Sequence, residues 1–185
     1  MDSIRDELEE LEIQNYEQKA FITHDALKSL LVESKVTTII TNMSDKGQTQ
    51  VYQQQEIVKA ILGNGLRLFA TLISLSRPEL ILKFMEADHF TTGQLDSKFP
   101  FSKQAVGLIL KDDRLSARFE KHQWRFFFPF FCADQSHREL EDSTRLPFVK
   151  CEYLGEGGFG EIYKMILPAS CQDLVPGAEG EVNLT

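Results

Sequence analysis

Phe148–Leu167 reads FVKCEYLGEGGFGEIYKMIL. Gly155, Gly157 and Gly160 stand between two runs of β-branched and aromatic residues, with Phe159 just before the last glycine and Ile162 two places after it. That pattern predicts strand, glycine turn, strand. Glycine permits φ > 0 and, having no side chain, lets backbone N–H groups come close to a ligand; converging N–H groups suit a phosphate chain. A bare G-x-G-x-x-G is a weak signal, and an ordinary hairpin carries the same residues. A dinucleotide-binding turn fits worse. It needs a helix to open at the glycines, whereas Glu161–Leu167 followed by Pro168 reads as a strand and its end.

The longer run LGEGGFGEIYK, Leu154 to Lys164, resembles the glycine-rich, ATP-covering loop of protein kinases, with Ile162 in the place of the final Val of G-x-G-x-x-G-x-V. The resemblance implies nucleotide contact by Leu154, Gly155, Glu156, Gly157, Gly158, Phe159, Gly160 and Ile162. Phe159 would cap the loop tip, and Leu154 and Ile162 would pack on the two sides of the adenine. With the aromatic run before it, His137-Arg138-Glu139 and Leu146-Pro147-Phe148, the segment is similar to one group of fungal serine/threonine protein kinases that carry a helical region ahead of the kinase domain. The implied function is ATP-dependent phosphorylation of serine or threonine, with ATP as cofactor and Mg²⁺ beside it in the family.

The family also needs a strand-three lysine, a glutamate to pair with it, a catalytic-loop aspartate and an aspartate for Mg²⁺. Lys164 is the only lysine after Gly160 and lies too early for the first of these; residues 168–185 hold neither lysine nor arginine. His137-Arg138-Glu139-Leu140 does not replace H-R-D-L, because it precedes the glycines and has Glu139 where the acid should be. No catalytic residue and no metal ligand is therefore assigned. The chain reads as a fragment cut before the strand-three lysine, inactive as it stands and binding ATP weakly if at all. The alternative is a non-catalytic helical docking or scaffold protein that carries a relic of the loop and meets a protein partner through its helices.

The predicted fold is mainly α: a helical domain over 1–131, a polar linker over 132–147, a two-stranded hairpin over 148–167 and a tail without order over 168–185. Met1–Ala20 reads as one acidic amphipathic helix with Ile4, Leu8 and Leu11 on a stripe. Helices are expected over Thr23–Glu33, Val51–Leu62, Leu66–Ser74, Pro78–Ala87 and Ser102–Leu110, with Ser102 as a cap. Lys35–Asn42 has strand propensity but could pack as helix. Gly63-Asn64-Gly65 reads as a helix end, since the apolar Leu66-Arg67-Leu68-Phe69 that follows does not suit an anion. Asp112-Asp113 reads as a solvated turn. The run from Phe119 through Trp124 to Phe131 is expected to seal the helical core or to offer a sticky face to the kinase piece; strands are expected only there and over Tyr153–Leu167.

A net charge of −8 and a pI near 5.1 argue against a nucleic-acid surface. Three scattered cysteines, Cys132, Cys151 and Cys171, form neither a disulfide framework nor a zinc pattern, and His24, His89, His122 and His137 form no close pair. The acidic start is unlike a signal peptide and no stretch is long enough to span a bilayer. An intracellular, soluble protein, cytoplasmic rather than nuclear, is the expectation.

Overall fold

The structure is a computed structural model that describes residues 2–44, 51–87, 95–133, 139–158 and 160–184. Its body is mainly α. The α-helices among the described residues are α1 (Asp2–Glu10), α2 (His24–Leu30), α3 (Glu33–Ser44), α4 (Val51–Asn64), α5 (Leu66–Ser74), α6 (Ile81–Glu86), α7 (Lys103–Leu110) and α8 (Asp113–Gln123). A short 3₁₀ turn, Pro78–Leu80, leads into α6, with Pro78 in the first turn where its missing N–H costs nothing.

α5 is the central helix. Leu66, Leu68, Phe69, Ala70, Thr71, Leu72 and Ile73 are all buried, so this element is apolar on nearly every side and has neighbours all round it. α1, α2, α4, α6 and α8 pack on it. Gly65 makes the α4–α5 corner possible: a Cβ there would lie 2.7 Å from Leu95 Cδ1 and 3.1 Å from the Ala60 carbonyl oxygen. Because Gly65 offers no capping side chain, the start of α5 is capped from far along the chain. The carboxylate of Asp96 accepts the N–H groups of Arg67 and Leu68, each at 2.9 Å. Burial pushes the Asp96 carboxyl above its ordinary value, although both N–H donors pull the other way. Gln123 is fully buried and does similar work at α8. It accepts the Phe101 N–H and donates to the Phe101 carbonyl, both at 2.7 Å. Phe84, Phe99, Phe101 and Phe119 pack around that bond as stacked and edge-on pairs 5.1–6.4 Å apart.

Several sequence expectations are corrected. The first helix stops at Glu10 rather than running to Ala20; β1 (Ile13–Gln14) and β2 (Ala20–Phe21) follow as an antiparallel pair. Asn15 is the cause. Its side-chain oxygen accepts from Glu17 N at 3.0 Å and Lys19 N at 2.8 Å, a local turn that competes with helix. Thr23 caps α2 as a Ser/Thr cap should, but α2 closes at Leu30 and a separate α3 absorbs the β-branched Val36–Ile40. Ser102 caps α7. Asp112 accepts Leu115 N at 3.0 Å and caps a helix, α8, that the sequence reading did not foresee. Beyond α8 the aromatic run is irregular, with a single bridge from Phe131 to Gln172.

Residues 168–184, expected to lack order, instead continue from the hairpin. A 3₁₀ turn at Ala169–Cys171 leads round to β5 (Glu181–Leu184), which pairs antiparallel with β4. The sheet therefore has three strands in the order β3-β4-β5, with β3 at Lys150–Gly157 and β4 at Gly160–Pro168. Among the described residues no single helix is long and apolar enough to cross a membrane. The pair Gln54–Asn64 and Leu66–Ser74 passes only jointly, bent by 105°, and α5 lies in the core.

Candidate functional site

The glycine stretch folds as sequence alternation dictates. β3 and β4 pair from Lys150↔Ile166 to Gly157↔Gly160, so the hairpin turns between Gly157 and Gly160. Of the residues expected at the nucleotide, Leu154, Gly155, Glu156, Gly157, Gly158, Gly160 and Ile162 all lie on this one hairpin; Phe159 lies outside the described residues. One irregularity interrupts the ladder. Tyr153 faces Tyr163, Gly155 faces Ile162, and Leu154 is the extra residue between. By alternation Leu154 leaves the face of Tyr153, and Ile162 leaves that of Tyr163. Leu154 and Ile162 thus share a face, and both are half exposed, at 51% and 48%.

Gly155 and Gly160 have φ of +157° and +155°, in a region that L side chains rarely adopt. A Cβ at either would meet nothing within 4 Å. Backbone conformation, not crowding, requires glycine at these two positions. The paired Glu156 and Glu161 lie off the Ile162 face. Glu161 alternates with Ile162, and the Tyr163 hydroxyl donates to it at 2.5 Å on the opposite face. That bond is the main cause of the upward shift of the Tyr163 phenol. Tyr153 and Tyr163 meet edge-on there at 5.5 Å. Lys164 shares the face of Ile162 by alternation, is half buried, and stands opposite Glu152.

The sheet rests on the helical body through its other face. Leu167 and Val182 oppose each other across β4 and β5. With Phe21 and Cys171 they form a second small core, against which Ile13, Phe128, Phe131, Phe148 and Leu184 pack. The aromatic run is divided between the two cores. Phe119, Phe126 and Phe127 pack into the main one, Phe128 and Phe131 into the second. Backbone bonds stitch the same seam: Tyr16 N to Phe148 O at 2.8 Å, Phe131 N to Cys171 O at 3.0 Å and Asp173 N to Phe131 O at 2.7 Å. The end of the segment read as a linker, at Arg145 and Leu146, is part of it. Asn15 donates to the Leu146 carbonyl at 3.0 Å, and the Arg145 guanidinium donates to the Ala20 carbonyl. Nothing in the sequence marked Phe21, Asn15 or Val182 as supports of the hairpin.

No other arrangement in the described residues suggests chemistry. No group of three or more metal-ligating side chains is present among them. Cys132, Cys151 and Cys171 form no disulfide, and burial pushes the Cys171 thiol up to about 12, so it is not a nucleophile at neutral pH. No protein-family model, no curated protein and no solved structure matches the chain.

Proposed function

We propose that Lys150–Pro168 is the nucleotide-covering hairpin of a serine/threonine protein kinase, and that the chain is the N-terminal part of such a kinase with a helical region ahead of the sheet. The observation that carries this reading is the shared, open face of Leu154 and Ile162, half exposed on an antiparallel hairpin. In the family that LGEGGFGEIYK resembles, these two positions enclose the adenine while the glycine backbone covers the phosphates. The glycine-only φ at Gly155 and Gly160 and the placement of Glu161 on the opposite face support it further. So does β5, which extends the hairpin to a three-stranded antiparallel sheet.

Calorimetric titration with ATP and Mg²⁺ tests the reading. Both apolar side chains are already half exposed, so Leu154→Ala and Ile162→Ala should each cost under about 1 kcal/mol of stability. Each should nevertheless weaken nucleotide binding by about five-fold or more, as lost apolar contact with a base would. Unchanged affinity in both variants rejects the assignment.

A helical docking module is the second reading. It is favoured by a groove of about 800 Å³ beside α6 and α7, with Lys83, Glu86 and Lys111 around Phe101 and Ile109. Leu108, at its rim, is 76% exposed. A chain that binds no nucleotide but saturably binds an acidic, apolar peptide at these lysines is this module and not the kinase piece.

A further inference from the structure

We propose that the helical body is a built-in backing for the glycine hairpin, and that Phe128 and Phe21 are positioning residues for a ligand neither of them touches. This rests on the nucleotide reading of the hairpin.

The argument starts from the sheet alone. Three short strands make a marginal unit in water unless one face is covered. β5 has four residues, and the β3–β4 turn is rich in glycine, which loses more freedom on ordering than any other residue. Pairing fixes which side chains share a face. Tyr163, Met165 and Leu167 alternate along β4, and across from Met165 and Leu167 stand Leu184 and Val182. Leu167 is fully buried and Val182 nearly so. Their cover is the side chain of Phe21, itself fully buried, with Phe128 edge-on to it at 5.4 Å. Ile162, Lys164 and Ile166 alternate onto the other face, where Ile162 stays half exposed. Lys164 and Ile166 on that face are partly buried, so the body covers the Leu167–Val182 end of the sheet, while at the tip Leu154 and Ile162 on one face and Tyr153 and Tyr163 on the other are all exposed.

The cover stops partway along the strands. Leu167 is buried, whereas Tyr163, four residues towards the tip on the same face, is 40% exposed, and Tyr153 opposite it is 51% exposed. The base of the hairpin is clamped and its glycine tip projects past the body. Order at the tip is inherited from the base through the β3–β4 ladder. A ligand held by the tip therefore meets a hairpin whose ordered fraction is set at Phe21, Phe128, Leu167 and Val182. Apparent affinity falls in proportion to that fraction.

The test uses the full chain and two readouts: amide exchange over 150–168, with α5 as internal reference, and titration with ATP and Mg²⁺. Phe128→Ala should speed exchange across β3 and β4 by about thirty-fold or more, with α5 unchanged, because a satellite core opens locally. The apparent Kd should rise in proportion to one plus the opening ratio that exchange reads, with Phe128→Leu restoring most of both effects. Val182→Ala removes less volume, sits in β5 rather than the body, and should shift both readouts in the same direction by a smaller factor. Unchanged exchange over β3 and β4 in Phe128→Ala and Val182→Ala overturns the backing, as does unaltered affinity in a variant whose hairpin exchange shows it mostly open. If the wild-type chain shows no nucleotide binding while Phe128→Ala still loosens the hairpin, it is the nucleotide reading that fails; the part of the proposal concerning affinity falls with it.

Discussion

Replacing Gly160 with alanine separates two reasons a glycine can be needed. The added methyl would meet no atom within 4 Å, so crowding contributes nothing. The backbone there has φ of +155°, and holding an L residue in that region costs about 1–3 kcal/mol. Gly158, two residues away in the turn, is equally open and has no such φ. A methyl there should change stability by less than about 0.5 kcal/mol. Because Gly160 sits at the end of the ladder opposite Gly157, its strain is relieved by opening the hairpin, not by unfolding the body. At about 1.4 kcal/mol per factor of ten, the ratio of ordered to open hairpin should fall roughly 5- to 150-fold in Gly160→Ala, and hardly at all in Gly158→Ala. Amide exchange over 150–157 and 160–168, with α5 as reference, reads this directly. Equal effects from the two substitutions would refute the reasoning, since it would mean that φ is not what selects glycine.

The corner between α4 and α5 should behave in the opposite sense to an open turn. Gly65→Ala forces a methyl to within 2.7 Å of Leu95 Cδ1 and 3.1 Å of backbone and should cost about 1–3 kcal/mol, whereas Gly63→Ala, in open space on α4, should stabilise by up to about 1 kcal/mol; thermal melts compare them. Gln123→Leu removes the two buried bonds to the N–H and carbonyl of Phe101, at about 1–3 kcal/mol each; a denaturant midpoint equal to wild type would contradict it. Asp96→Ala removes the cap of α5 and should cost about 0.5–2 kcal/mol. Burial raises the Asp96 carboxyl in the folded state, so the folded protein holds its proton more tightly than the unfolded chain does. Its contribution is then fully present below the unfolded value and is lost as pH rises through the folded one. The gap in melting temperature between wild type and Asp96→Ala should accordingly widen as pH falls towards the ordinary carboxylate range; a gap that narrows would reverse the sign.

The hairpin was legible because two local signals agree: glycines mark the turn, and alternating β-branched and aromatic residues mark strands on both sides of it. Helices such as α5 and α7 were legible for the same reason, with an apolar run bounded by Gly65 in one case and a Ser102 cap in the other. What was not legible depends on partners distant in sequence. Glu181–Leu184 is short and follows Gly180, so its own composition reads as loop; it becomes a strand by pairing with Met165–Pro168. The cap of α5 comes from Asp96, 28 residues beyond Leu68. The aromatic run announced buried surface but not that Phe127 and Phe128, adjacent in sequence, would enter different cores. α8 was missed although Asp112 as cap and Leu115 and Phe119 four apart were there to read. At the candidate site, alternation from Tyr153 and Tyr163 already sets Leu154 and Ile162 on one face; what it does not foresee is the bulge that makes Gly155 rather than Leu154 the partner of Ile162.

The most direct measurement of the central claim is residue-resolved chemical-shift mapping of the full chain titrated with ATP and Mg²⁺. The nucleotide-hairpin account predicts saturable shifts at the Leu154 and Ile162 side chains and at the amides of Gly155–Gly160, with Tyr153, Tyr163 and Glu161 on the opposite face moving less. Shifts concentrated on the tyrosine face, on the lysines of α6 and α7, or nowhere would contradict it.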